Sequence, residues 1–222
     1  YKIEDGSECW NLQTEDSFTI SNSKYSLIII GDMIVFSNSI GDITAVDVDS
    51  GLIIWQLPTQ SSSIINETYN FKTSKLVSDG NSIFVSNNKN EFYSIDVKTG
   101  TTNWISDIKS NITPVITGNL IFTVSNEGYL YAIEKNKGNI IRVTDLFKIY
   151  KQKKRKNIYP IGFVIGNKNL YLTNSDGKMI VVDLQNGSII KTEKVSSNLV
   201  SKPFIFNNNL FLIRNGSIIQ YN

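Results

Sequence analysis

The chain is 222 residues long, enough for one sizeable all-β domain, with 22 basic and 20 acidic residues and a formal net charge of +2. It has no histidine and a single cysteine, Cys9, which removes His-based acid–base chemistry, His metal sites, intrachain disulfides and Cys-rich zinc sites. The even charge balance does not mark a nucleic-acid binder, and no uninterrupted apolar run approaches the ~18 residues of a membrane-crossing helix. The sequence starts at Tyr1 with no visible signal peptide, so we expect a chain from which any targeting segment has been removed.

Residues 1–13 read as the end of a repeat: a short strand, the Asp5-Gly6 turn, and a strand through Cys9, Trp10 and Leu12. Residues 14–26 are polar and turn-rich and read as a loop. Leu27-Ile28-Ile29-Ile30 is an apolar run without alternation, ended by Gly31-Asp32, and predicts a buried inner strand. Met33 to Ser37 is a second strand. Thr44, Val46 and Val48 share one side of a third, with Ala45 and Asp47 on the other. After Gly51 a fourth strand runs from Leu52 to Leu57, and Pro58 with a Ser-rich loop breaks the pattern.

The same unit returns along the chain. Gly31, Gly41 and Gly51 are ten residues apart, as are Gly80, Asn90 and Gly100, and Gly118, Gly128 and Gly138. Gly166, Gly177 and Gly187 repeat the set with one residue of slip. Gly and Asn tolerate the positive φ of tight hairpin turns, and turns at this interval leave strands of ~5–6 residues. Trp55, Trp104, Arg142 and Lys191 hold equivalent places at spacings of 49, 38 and 49 residues, the differences falling in the loops between units. Helical periodicity is nearly absent; the one weak candidate is Thr144 to Tyr150.

A four-stranded antiparallel meander of ~40–50 residues is the mark of a β-propeller blade. The expected fold is therefore an all-β propeller of about five repeats in one domain. Its blades fall near 27–57, 74–105, 113–142 and 158–191, with partial copies at 1–13 and 201–222. A two-sheet sandwich is the competing architecture, but a sandwich needs no equal spacing.

Gly followed four residues later by Trp occurs at Gly6/Trp10, Gly51/Trp55 and Gly100/Trp104. Four residues along a strand restore the same face, so each ring should point the way of its own repeat's Gly. Several copies around a ring suit an aromatic wedge between blades better than one ligand-stacking site. Asp47-Val48-Asp49-Ser50-Gly51 looks like half a calcium loop, yet it lacks the further oxygen ligands and closing Glu that calcium needs; it reads as a hairpin turn. The run Lys148 to Lys156, with Lys151, Lys153, Lys154, Arg155 and Lys156, is the one dense charge cluster. It suits a solvated mobile loop, or a contact with acidic lipid, nucleic acid or an acidic partner. No catalytic constellation is present: there is no triad, no GxSxG and no Gly-rich phosphate loop.

The repeat small/apolar-x-Asp-x-x-Thr/Ser-Gly-x-x-x-Trp, seen in Ala45–Trp55 and Tyr93–Trp104, resembles the PQQ-like propeller repeat over nearly the whole chain. Within it, the ending VVDLQNGSIIKTEKV followed by SKPFIFNNNLFLIRNGSIIQYN is most similar to the BamB family of outer-membrane β-barrel assembly lipoproteins. That resemblance implies a C-terminal portion of an eight-bladed propeller, or a smaller ring closed by Ser7 to Gln13. It also implies a non-catalytic scaffold, periplasmic and outer-membrane associated, acting as a monomer within a complex.

The implied partner is a BamA-like barrel-assembly subunit, with no cofactor, no nucleic acid, and membrane contact only through an N-terminal lipid anchor outside this sequence. In the family an acid-x-acid pair before an inner strand belongs to the partner surface. The matching segment here is Ser21 to Lys24, where the charges differ, with Glu15 and Asp16 close by. The candidate partner-binding residues are thus Glu15, Asp16, Asn22 and Lys24. Two other readings stay open: a PQQ-dependent dehydrogenase relative, whose vicinal disulfide Cys9 alone cannot form, and a generic extracytoplasmic ligand-binding propeller.

Overall fold

Residues 1–14, 25–38, 41–59, 72–197 and 200–221 are described by a computed structural model, and its strands begin and end at the Gly and Asn turns. Two compact units form, Tyr1–Asn111 and Ile112–Asn222. The first holds a sheet of β1 (Leu27–Ile30), β2 (Met33–Ser37), β3 (Ile43–Asp47) and β4 (Ile53–Leu57). Its second sheet is β5 (Val77–Ser78), β6 (Ser82–Ser86), β7 (Glu91–Asp96) and β8 (Thr102–Asp107).

The second unit holds three sheets. They are β9 (Val115–Thr117), β10 (Leu120–Val124), β11 (Tyr129–Glu134) and β12 (Ile140–Asp145); β13 (Pro160–Gly166), β14 (Asn169–Asn174), β15 (Lys178–Asp183) and β16 (Ile189–Lys194); and β17 (Phe204–Phe206), β18 (Asn209–Arg214) and β19 (Ser217–Tyr221). Every sheet is an antiparallel meander in chain order, as the turn spacing predicts.

The turn between third and fourth strands is built the same way each time. In the first sheet Gly51 N–H donates to Asp47 O at 2.9 Å, and Asp47 N–H donates to Leu52 O at 2.9 Å. The Asp47 carboxylate accepts from the Ser50 hydroxyl at 2.6 Å and the Ser50 N–H at 2.8 Å, which together hold its pKa below the usual value. Asp96 is held down likewise by the Thr99 N–H and hydroxyl. Asp183 caps its turn through the N–H groups of Gln185 and Asn186.

The hairpins between third and fourth strands each carry a bulge in all four four-stranded sheets, at Ala45/Val46, Ser94/Ile95, Ala132/Ile133 and Val181/Val182. The extra residue breaks the simple alternation between the turn and the Trp position. The ring therefore does not follow its own repeat's Gly. Trp55 lies over Gly100 of the next sheet and donates its indole N–H to Val97 O at 2.9 Å. Trp10 repeats this against Gly51 and Val48 O, at 3.0 Å.

A Cβ on Gly100 would stand 2.5 Å from the Trp55 ring, and its φ is +71°, so both close approach and backbone select glycine there. Arg142 takes the tryptophan's part between the next two sheets. Its guanidinium donates to Leu184 O at 2.7 Å and Gln185 O at 2.6 Å, beside Gly187. Lys191 does not: it is exposed and pairs with Glu193 at 2.7 Å. The wedge reading is thus correct for Trp10 and Trp55, and Arg142 acts in the same way; Trp104 also stacks on Phe92 of its own sheet, centroids 5.8 Å apart.

The sheets pack face to face within each unit. Val35, Ile43, Ala45 and Trp55 meet Ile83, Val85, Tyr93 and Ile95 in the first. In the second, Phe122, Leu130 and Ala132 meet Phe163, Leu170, Leu172 and Ile180, and beyond them Met179 and Val181 meet Val200, Leu210 and Leu212. Third strands are buried on both faces, which explains their near-continuous apolar character.

Two local expectations fail. Leu27 and Ile29 are 59% and 66% exposed, because only the Ile28 and Ile30 face of β1 packs on the core and no described residue covers the other. Residues 1–14 form a turn, with Gly6 N–H donating to Lys2 O, but no strand; a lone polar hairpin has too little to bury. Ser7 to Gln13 is anchored through Trp10 on the first sheet.

Candidate functional site

Glu15, Asp16, Asn22 and Lys24 lie outside the described residues. The basic segment lies inside them, as short helical turns whose lysines are exposed. After β12 the chain makes a 3-10 turn, Leu146–Ile149, and then one α-helical turn, α1 (Gln152–Arg155). Asp145 caps the first by accepting from Phe147 N–H at 3.0 Å. The weak helical signal over Thr144 to Tyr150 is realised only as this short turn.

Three apolar residues hidden in the charge run fix it. Leu146, Phe147 and Tyr150 are buried in the core of the second unit. Phe147 covers Gly128 in the β10–β11 turn so closely that a Cβ there would collide with the ring. It meets Tyr150 edge-on, centroids 5.4 Å apart. The Tyr150 hydroxyl donates to Asp176 at 3.0 Å and accepts from the Asn174 amide at 3.3 Å. Burial pushes the Tyr150 phenol up; the Asn174 bond opposes this and the charge of Asp176 adds to it, so the group stays a donor.

Two cations of the segment are committed. Arg155 binds Asp145 at 2.6 Å and lies over the Tyr129 ring at 5.4 Å. Lys154 reaches Asp176 at 3.5 Å and the Tyr150 ring at 5.7 Å. Lys151, Lys153 and Lys156 remain exposed.

Part of the segment lines a groove of about 610 Å³ in the second unit. Asn126 and Glu127 of the β10–β11 turn line it together with Tyr129, Arg155, Lys156 and Tyr159. Ile158 is buried beneath it while Tyr159 is 55% exposed. Such a surface offers aromatic area, amides and positive charge, which suits binding.

Among the described residues no three His, Cys, Asp or Glu side chains gather as metal ligands, and the Asp47–Gly51 turn spends its carboxylate on Ser50. No described helix is long and apolar enough to cross a membrane. Sequence reasoning found Lys151 to Lys156 but missed Tyr129, Tyr159 and the anchoring pair Phe147/Tyr150. The signal was present in Leu146-Phe147 and Tyr150, an apolar triplet inside a basic run.

Repeated antiparallel meanders with face-to-face packing, joined by wedges at Trp10, Trp55 and Arg142, define a β-propeller repeat protein. Residues 1–144 match the family model described as outer membrane protein assembly factor BamB, and the chain belongs to that family. Solved structures share the fold. BamB from Moraxella catarrhalis aligns with a TM-score of 0.53 at 14% identity, covering 87% of this chain and 70% of that one. The computationally designed Ika8 protein aligns at 0.66 and 11% identity, over 88% and 57%. The Cps50 (Swd1) β-propeller domain of Myceliophteria thermophila aligns at 0.63 and 12%, over 87% and 63%. This chain therefore spans between 57% and 70% of the length of these structures. No curated protein sequence matches it.

Proposed function

We propose that this chain is a non-catalytic interaction propeller of the outer-membrane protein assembly machinery, extracytoplasmic and associated with the outer membrane. The observation that carries this reading is the family match over residues 1–144. The fold suits the role: packed blades hold connecting loops rigidly, so a partner is bound at little ordering cost. The partner under this proposal is the barrel-inserting, BamA-like subunit, met by a surface that includes Glu15, Asp16, Asn22 and Lys24. No cofactor takes part.

The test is capture of that subunit from detergent-solubilised outer membranes on the immobilised chain. Failure to retain it removes the assembly role. Substituting Asp16, Asn22 and Lys24 together should weaken retention severalfold, and full retention would move the interface off that loop. A quinone absorbance band after addition of PQQ and calcium would instead establish a dehydrogenase relative.

A further inference from the structure

The whole-chain charge conceals a division. Residues 1–111 hold seven lysines, no arginine and fourteen carboxylates, whereas residues 112–222 hold fifteen basic residues and six carboxylates. Between Asp145 and Asp176 there is no acidic side chain at all. The two flanking carboxylates are already spent, Asp145 on Arg155 and Asp176 on Tyr150 and Lys154. Among the described residues no carboxylate pairs with Lys151, Lys153 or Lys156, which are exposed on one short segment held rigid by Phe147 and Tyr150. An anchored cluster of unpaired cations, one of which, Lys156, lines a concave surface, attracts negative charge without first losing the entropy of a floppy loop.

We infer that the groove under this segment takes an extended acidic segment of a protein partner. Its carboxylates meet Lys156, which lines the groove, and Lys151 and Lys153, which flank the lining residue Gln152, while its main chain runs past Gln152 and Asn157 with an apolar side chain on Tyr159. The groove's 610 Å³ lies within the ~300–1,000 Å³ range of pockets that enclose a ligand of short-peptide size. The lining amides match peptide N–H and C=O groups. A flat bilayer would meet the lysines but leave the concavity empty. A polyphosphate chain favours the free arginine fork, yet Arg155 is committed to Asp145 and stacked on Tyr129, and Glu127 also lines the groove. This deepens the partner-binding proposal and rests on it.

The experiment is fluorescence anisotropy of a labelled Asp/Glu-rich decapeptide titrated with the chain. Saturable binding is expected, weakened roughly tenfold by combined Lys151→Glu, Lys153→Glu and Lys156→Glu, since each exposed pair contributes a few-fold. Tyr159→Ala should weaken it several-fold while leaving the far-UV spectrum unchanged. Lys137→Glu with Lys168→Glu changes charge in turns at the opposite ends of these strands and should have little effect. Absence of saturable binding, equal loss in the Lys137/Lys168 variant, or tighter binding to phosphatidylserine vesicles or single-stranded DNA than to the peptide would each overturn the inference. Capture of the barrel-inserting subunit is measured separately. An intact capture without peptide binding sinks the groove alone, and peptide binding without capture sinks the assembly role alone.

Discussion

Replacing Trp55 with alanine tests the way consecutive blades are joined. The ring is 8% exposed, donates to Val97 O at 2.9 Å and rests on Gly100. Truncating a buried tryptophan costs about 3–5 kcal/mol, which at this chain length lowers Tm by roughly 6–20 °C. Gly100→Ala attacks the same joint from the other side. It forces an L residue into a φ of +71°, a cost of about 1–2 kcal/mol, and drives a methyl into the ring, adding about 1–3 kcal/mol of overpacking.

In the Trp55→Ala background the collision has no target, so Gly100→Ala should cost only the backbone part. The double-mutant cycle is therefore expected to show a coupling of about 1–3 kcal/mol, read from urea unfolding followed by circular dichroism. Additivity within about 0.5 kcal/mol would show that the ring does not rest on Gly100, and the joint as described would be wrong.

Arg142→Ala should cost about 1–2 kcal/mol through loss of two charge-assisted bonds to Leu184 O and Gln185 O, whereas Arg142→Trp should recover most of it; thermal unfolding of the three proteins checks the order. Lowering pH should loosen the Asp turns. The folded pKa values of Asp47 and Asp96 are depressed, so their contribution is present above the unfolded value of about 4 and is lost as pH falls through the lower folded values. The Asp47→Asn, Asp96→Asn protein should accordingly show a flatter decline of the urea midpoint below about pH 4. Phe147→Ala should release the basic segment. Trypsin should then cut at Lys151 to Lys156 much faster than in the parent chain, as followed by mass spectrometry.

The blade pattern was legible because turns act locally. Gly31, Gly51, Gly80 and Gly100 adopt the positive φ that their spacing implies, and the strands fall between them. What failed depended on neighbours far along the chain. The unbroken apolar run of β1 says nothing of whether a second layer covers Leu27 and Ile29. The direction of Trp55 turned on a one-residue bulge that leaves no separate mark in the sequence.

What anchors the basic segment was not legible, because Phe147 meets Gly128, 19 residues back, and Tyr150 meets Asp176, 26 residues on. Net charge hid the imbalance between the two units because opposite excesses cancel on summation.

In the joints made by Trp10, Trp55 and Arg142, the accepting group is a main-chain carbonyl and the floor is a residue without a side chain. Apart from that one glycine, a socket of this kind belongs to the backbone, so it survives drift elsewhere in the blade that presents it. Beyond the glycine, only the plug must keep a flat outline and an N–H, and indole and guanidinium both qualify. Repeats joined in this manner are free to diverge one at a time, without matched changes in the blade next door.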